Sequence, residues 1–506
     1  MIRWAVLLWL ALVAAPLAAT ERAPDVVLSG VVRDTDRATT RDLGFAVPAG
    51  TALVRVDFVF DGRDRGVTIT LGVADPQRFR GWGGGTKYAF AIGEAFATPS
   101  FLPGPIPAGP WRLMMTVPSI RAGDAAKWSA RIWFSKASAV GEVAFSPAPI
   151  RRGPGWYRGD LHTHSGQSDA RCRSLVGREA GCPPFYTFQE AAAHGLDFVA
   201  LTDHNVTSHF IEMGYLQPHF DTLLLLPGRE LTTREGHANL LGYMGPLETD
   251  LGRAGAETVN AMLASAHATG GFLTINHPSR PTGADCLGCG WSARDTDYAA
   301  VNAIEVVNAG STLEMPGDRE AAIVKQVQYW ETLLNRGHRL IGVAGSDNHD
   351  AIQYRGNSPI GAQAAIGRIA TVVHADDLSQ GGILRGLRSG RVFIDLGEQQ
   401  ARQGGSRILD FAARVGAVQA MMGGTLPKPS RRTAVTGSIH VVGVAGGTVE
   451  LVVDNSIVAV SAAAITGSDQ HIAFVLPDAR KLRWLRANVR TADGHLWLIG
   501  NPIYLR

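Results

Sequence analysis

Two periodicities divide the chain. Between about Asp25 and Ser146 apolar residues recur at every second position: Val54, Val56, Phe58 and Phe60 fall on one side of a strand with Arg55 and Asp57 on the other. Val67, Ile69 and Leu71 alternate with Thr68 and Thr70 in the same way, and Trp128, Ala130, Ile132 and Phe134 repeat it. Glycine, proline and aspartate punctuate these runs, most densely from Pro103 to Pro110. A period of two broken by turn residues predicts a β-sandwich over 20–150. That stretch holds no histidine and no metal-ligand cluster, so a structural or binding accessory role is expected.

After the break at 147–155 the pattern switches between strand and helix. Thr187, Phe188, Gln189 and Glu190 have capping-box spacing and predict a helix running to His194, with Gly195 as its stop. Apolar strands are expected at 198–201, 223–226, 272–275, 304–307 and 340–344, with helices over 259–268 and 319–336 between them. A strand before His162 and another near 370–373 or 392–394 bring the count to about seven. Strands alternating with helices predict a parallel sheet, and polar residues placed repeatedly just after strands suit the C-terminal face of a barrel over 151–400. Beyond Gly404 the helical pattern fades and strands return at 439–442, 449–453, 472–475 and 496–499, a small C-terminal β-unit over 401–506.

Composition adds limits. A chain of 506 residues suggests about three domains. The hydrophobic fraction of 45% allows large cores, and a net charge of +3 argues against a nucleic-acid or anionic-membrane partner. Arg3, the apolar run from Trp4 to Val13 and the small residues Ala14, Ala15, Ala18, Ala19 and Thr20 predict a signal peptide over 1–19, hence a periplasmic or secreted protein with no membrane span in the mature chain. Export permits disulfides among Cys172, Cys182, Cys286 and Cys289. Three pairings exist; pairing Cys172 with Cys182 is local, and a four-cysteine zinc site is the alternative, disfavoured by the wide first spacing.

The candidate chemistry lies in the middle region. Asp160-Leu161-His162-Thr163-His164 is followed by Asp169, Thr202-Asp203-His204-Asn205, Glu230, His237, Asn276-His277-Pro278 and Gly345-Ser346-Asp347-Asn348-His349. Imidazoles and carboxylates together suit zinc, manganese or iron, and nine such groups exceed what one ion holds, so two or three divalent ions are implied. Ions sharing a carboxylate can hold a hydroxide between them and stabilise charge on a phosphoryl or acyl oxygen, which predicts hydrolysis. Asp160 and Asp203 flank ligands and either orient imidazoles or form turns; Glu305 and Asn308 are expected to support a ligand or touch substrate. No catalytic residue is assigned: His349 or a metal-bound water is the candidate general acid, and Arg280 is a candidate for binding a phosphate or carboxylate at two points. Arg229, Arg234 and Arg280 near the motifs tip the expected substrate towards phosphate.

The ordered series Asp-Leu-His-Thr-His, Thr-Asp-His-Asn, Gly-x-Glu with a following Gly-His, Asn-His-Pro and Gly-Ser-Asp-x-His resembles the PHP (polymerase and histidinol phosphatase) superfamily, and with the closing Asn501-Pro502-Ile503-Tyr504 it looks like the CehA/McbA-type metallohydrolase branch. The resemblance spans about 156–396 and implies a distorted seven-stranded (β/α) barrel holding up to three ions. Carried over by position, His162, His164, Glu230 and Asp347 would hold the first ion, Glu230, His237 and His277 the second, and Asp169, His204 and His349 the third. Ala170 departs from the pattern, which has glycine there. The implied function is an exported phosphoesterase acting on a small phosphomonoester or phosphodiester. A carboxylic-ester or carbamate hydrolase using the same site is the alternative, with a non-catalytic metal- or glycan-binding protein third.

Overall fold

The computed structural model describes residues 22–136, 148–245, 247, 258–281, 288–315, 317–351, 363–397, 407–458 and 464–506. The expected signal segment and Cys286 lie outside the described residues. The chain separates into two compact units, Met1–Ser138 and Ala139–Arg506.

In the first unit the alternating pattern becomes two four-stranded antiparallel sheets. Val26–Arg33, Ala125–Ser135, Leu53–Phe60 and Ala89–Gly93 make one, and Thr40–Val47, Gly109–Ser119, Thr68–Ala74 and Phe79–Gly84 the other. Val56, Phe58 and Ile132 of one sheet share a core with Ile69, Leu71, Trp111 and Met115 of the other, the interdigitation expected when every second side chain points inward. A full ion pair is buried here as well: Arg80 Nη1 lies 2.8 Å from Asp75 Oδ2.

The second unit is built on a fifteen-stranded mixed sheet. Its barrel portion runs, in spatial order, Ile341–Gly345, Ala303–Asn308, Phe272–Ile275, Gly236–Leu241, Leu224–Thr233, Phe198–Leu201, Arg151–Asp160, Ala370–Leu378 and Val392–Asp395. The two ends of this run curl towards each other. Thr371 Oγ1 accepts from Ala344 N at 2.8 Å and donates to Ala344 O at 2.9 Å, and Asp347 N donates to His162 O at 2.8 Å. The result is a distorted (β/α) barrel flanked by smaller antiparallel sheets.

The expected parallel sheet is in fact mixed, because Gly236–Leu241 turns back on Leu224–Thr233 as a hairpin and pairs antiparallel with both neighbours. Both candidate strands near the end of the barrel exist, Ala370–Leu378 and Val392–Asp395, and they too pair antiparallel. The helix expected to begin at Thr187 begins earlier, at Pro184, where the proline's fixed φ suits the first helical position; Thr187 lies inside it and donates its hydroxyl to His164 O at 3.2 Å.

Arg319–Asn335 shows how a helix packs outside the barrel. Asp318 caps it by accepting from Ala321 N, and Ile323, Val327, Trp330 and Leu334, spaced three and four apart, form the buried face. The strands near the C-terminus continue the large sheet: Leu496–Gly500 pairs with Val392–Asp395, followed by Trp484–Arg490 and Thr448–Val453. Asn501 locks this junction, accepting from Gly342 N at 2.7 Å while its amide donates to Gly342 O and Val392 O. A separate sheet of Val418–Met421, Ile408–Val415, Val435–Val442 and Asp469–Leu476 packs through Phe411, Ile439 and Phe474. Among the described residues no helix is long and apolar enough to cross a membrane.

Candidate metal centre

His162, His204, His277 and Asp347 follow the ends of strands, whereas Glu230 and His237 lie within the paired strands Leu224–Thr233 and Gly236–Leu241, and backbone hydrogen bonds bind the motifs to one another. His164 N donates to Asn348 O at 3.0 Å, joining the first motif to the last. Asn205 N donates to Glu230 O at 2.9 Å, joining the second to the third. Gly345 is required by this closeness: a Cβ there would sit 2.5 Å from His162 Cβ. Asp347 and His277 hold positive φ values of 57° and 29°, strain of the kind that accumulates at functional sites.

All nine expected ligands fall into groups of converging donor atoms; six of them are buried, His204 and His349 are partly buried and Asp169 is exposed. His162 Nε2 lies 3.1 Å from His164 Nε2, 3.2 Å from Asp347 Oδ1 and 3.3 Å from Glu230 Oε2. His164 Nε2 lies 3.1 Å from Asp347 Oδ1 and 3.4 Å from Glu230 Oε2. Donors about 2.0–2.1 Å from one tetrahedral ion stand about 3.3 Å apart, so these four atoms already have the spacing of a coordination shell.

Glu230 turns its other oxygen away from that set. Oε1 lies 3.2 Å from His237 Nδ1 and 3.3 Å from His277 Nε2, and it accepts from Asn276 Nδ2 at 2.8 Å. The third group is looser. His204 Nε2 and His349 Nε2 each lie 3.5 Å from an oxygen of Asp169, whose side chain is half exposed. His164 stacks against both rings, at 4.5 Å and 4.0 Å between centroids.

Four imidazoles are anchored through Nδ1, which leaves Nε2 facing inward. His162 Nδ1 meets Glu305 Oε1 at 3.0 Å, His277 Nδ1 meets Cys289 O at 2.6 Å, His349 Nδ1 meets Asp347 O at 2.8 Å and His204 Nδ1 meets Thr232 Oγ1 at 2.5 Å. Three buried atoms, Glu230 Oε2, His237 Nε2 and His164 Nδ1, have no hydrogen-bond partner among the described residues. Glu230 Oε2, which faces His162 Nε2 and His164 Nε2, fits a divalent cation at that point, since a bound cation would satisfy it. The groups are capable of coordinating divalent metals.

The electrostatics follow from the crowding. Burial alone would lower the His162 pKa, but the carboxylates of Asp347, Glu230 and Glu305 overcome it and hold the imidazolium well above its ordinary range. Burial also works against the charged form of His204, yet Glu230 and Asp169 push it up to about 9. His164 goes the other way, down to about 4, because burial acts together with the neighbouring rings of His349 and His204. Burial would raise Glu230 and Asp347, but the imidazoles around them hold both well below the usual carboxylate range.

The supporting residues divide. Glu305 orients His162 and also accepts from His277 N and Asn308 Nδ2, while Asn308 caps the short helix Ala309–Glu314 through Ser311 N. Asp160 touches no imidazole; it accepts from the backbone N–H groups of His162, Ser346 and Gly367, and so fixes the loops that carry ligands. Asp203 likewise accepts from Ser165 N, Ser165 Oγ and Ser168 Oγ, with the buried His209 behind it at 3.6 Å.

Of the three arginines expected near the metals, only Arg280 arrives. It forms a two-point pair with Glu314 at 2.6 and 2.7 Å, and its Nη1 lies 3.3 Å from Asp347 Oδ2. Arg229 is buried facing away and donates to Tyr243 O and Gly245 O, because its neighbour Glu230 takes the inward side of the strand. Arg234 is exposed at the hairpin turn and lines a different groove with Asn260 and Arg294.

Cys172 and Cys182 form a disulfide across the hairpin of Arg171–Arg173 and Glu179–Gly181. That hairpin adjoins the third group: Arg171 N donates to His349 O at 2.8 Å, and Cys182 N to Ala170 O at 3.1 Å. Ala170 is fully buried there. Cys289 is buried, and Cys286 lies outside the described residues.

The sequence reading passed over several residues that hold the site together: Asn276 on Glu230, Thr232 on His204, Glu314 on Arg280 and His209 behind Asp203. Asn276 was legible in principle as the companion of His277 in Asn-His-Pro.

No protein-family model matches the chain, and no curated protein matches it. Among solved structures, a two-domain Bacteroides vulgatus protein described as containing a predicted PHP-like metal-dependent phosphoesterase is 18% identical, with 70% of this chain and 97% of that one covered at a TM-score of 0.36. A Bifidobacterium adolescentis protein, inferred to be a metal-dependent phosphoesterase, is 15% identical, with 46% and 95% covered at a TM-score of 0.29. Both likenesses are distant, and neither carries a substrate over to this chain.

Proposed function

We propose that the chain is an exported metal-dependent phosphoesterase of the PHP superfamily, close in kind to its CehA/McbA-type branch, acting on a small phosphomonoester or phosphodiester. The observation that carries this reading is Glu230, whose two oxygens face two different sets of imidazoles. His162, His164, Glu230 and Asp347 would hold one ion, Glu230, His237 and His277 a second, and Asp169, His204 and His349 a third, with manganese, zinc or iron all compatible with the donors. Such ions, when bound, lower the pKa of water and neutralise charge on phosphoryl oxygens.

The chain's own residues do the rest. Glu305, Cys289 O, Asp347 O and Thr232 fix the rings of His162, His277, His349 and His204, so that these four need not reorient to ligate. Arg280, braced by Glu314, stands beside Asp347 where a non-bridging phosphate oxygen would pair with its guanidinium. His349, the sequence's candidate for protonating the leaving group, is engaged on this reading, with Nδ1 on Asp347 O and Nε2 turned to the third group, so no residue is assigned as the general acid.

One observation favours the alternative of a carboxylic-ester or carbamate hydrolase: of Arg229, Arg234 and Arg280 only Arg280 reaches the centre, and it is already paired. The deciding experiment is parallel hydrolysis of a chromogenic phosphomonoester, phosphodiester and aryl N-methylcarbamate by manganese-loaded protein, with a chelated control and Asp347→Ala. Chelator-sensitive phosphate cleavage, lost by several orders of magnitude in Asp347→Ala, is expected. Cleavage of the carbamate alone would replace the phosphoesterase reading with acyl hydrolysis, and activity unchanged in a folded Asp347→Ala variant would remove the site altogether.

A further inference from the structure

The C-terminal sheet carries a second kind of histidine cluster, sharing no residue with the barrel site. On Val435–Val442 and Asp469–Leu476 the inward positions Ile439, Val441, Ile472 and Phe474 are buried, so Ser438, His440, Asp469 and His471 project from the opposite face. His440 and His471 are directly opposed in the antiparallel register, and Asp469 stands two residues before His471 on the same face. The two rings lie parallel, 4.1 Å between centroids and 3° between planes. His440 Nε2 lies 2.8 Å from Asp469 Oδ1, and His471 Nδ1 lies 3.4 Å from Ser438 Oγ.

We propose that His440, His471 and Asp469 form an exposed binding site for a divalent transition-metal ion, zinc or copper in character. Donor atoms from all three lie within 4.8 Å of one another, and small rotations of exposed side chains bring such a set to coordination distance. Two imidazole nitrogens and one carboxylate oxygen are the donors those ions prefer, with water completing the shell. Ser438 on Nδ1 of His471 is the kind of partner that turns the other ring nitrogen towards a metal. The set stops at three, because Asp410, opposite His440 on the other neighbouring strand, is engaged by Arg391.

Position gives the site a role. Among the described residues Asp469–Leu476 is the edge strand of its sheet and pairs only with Val435–Val442. An ion held by His440 on one strand and by Asp469 and His471 on the other clips this edge in place.

The test uses the full chain, stripped by chelation and then dialysed against zinc chloride, with bound zinc counted by atomic emission. His471→Ala, His471→Gln and His440→Ala are each expected to bind one zinc fewer than the parent. The same deficit is expected in an Asp347→Ala background, where the barrel site is impaired. Hydrogen exchange in residues 469–476 should slow on adding zinc to the parent and not to His471→Ala. Zinc counts within half an ion of the parent in all three variants, or exchange unaffected by zinc, would overturn the proposal.

Discussion

Glu305 Oε1 lies 3.0 Å from His162 Nδ1, while its other oxygen accepts from His277 N, so a single buried carboxylate orients two of the expected ligands. Replacing it by glutamine keeps the volume but removes the charge that holds the His162 ring in one tautomer. Glu305→Gln is expected to weaken metal binding about 10–100-fold with secondary structure intact. A metal titration followed by calorimetry reads this directly, and affinity within twofold of the parent would show that Glu305 is only a packing residue.

The pH dependence should have opposite signs with and without metal. In the metal-free chain His162 and His277 are raised by the carboxylates that outweigh burial, and His204 is raised from 6.5 to about 9. A group with a raised folded pKa stabilises fully below its unfolded value and loses that contribution as pH rises through the folded one. Metal-free protein should therefore melt at lower temperature at pH 9.5 than at pH 6.5. Metal binding needs the same lone pairs, so affinity should rise with pH up to about 9, about tenfold per unit for each proton displaced. Titrations in buffers of different ionisation enthalpy would count those protons, and none released would contradict the assignment.

How much of this was legible in the sequence depends on whether the signal was local. Strands at 198–201 and 272–275 and the helix at 259–268 match the observed bounds, because short local apolar patterns need no tertiary information. The antiparallel hairpin of Gly236–Leu241 was missed because its residues are buried on both faces and so show no alternation. All nine candidate ligands converge, yet Arg229, adjacent to Glu230, points away, since neighbours on a strand face opposite sides. Proximity in sequence was a poor guide there. The His440–His471 pair was invisible for the complementary reason: thirty-one positions separate two residues that only strand register brings together.

The Cys172–Cys182 disulfide is expected to matter for the third group more than for the other two. It closes the hairpin whose Arg171 N holds His349 O, and Asp169 stands two residues before Arg171. A Cys172→Ser, Cys182→Ser double variant should retain one ion fewer after dialysis, with ions at Glu230 unaffected. Metal counting on the purified variant measures this, and a count equal to the parent would show that Asp169 is held without the crosslink.

The buried ion pair of the N-terminal unit allows a stability prediction with an internal control. Arg80 is fully buried, donating to Asp75 at 2.8 Å and to the carbonyls of Leu102, Gly104 and Pro105. Burial would raise the Asp75 pKa, but Arg80 and the N–H groups of Gln77 and Arg78 lower it below 3.8, so its stabilising contribution is present above that value and lost as pH falls further. Asp75→Asn leaves a buried guanidinium without its counter-charge, which costs about 3–5 kcal/mol in comparable pairs. The three carbonyls remain as acceptors, which argues for the lower end, about 3 kcal/mol. The exposed pair of Arg112 and Asp42, also at 2.8 Å, should behave differently, because solvent screens it and Asp42→Asn costs at most about 1 kcal/mol. Differential scanning calorimetry of both variants should show a clear fall in the unit's transition for Asp75→Asn and little change for Asp42→Asn. Equal, small shifts would mean that the buried pair only breaks even against its own desolvation.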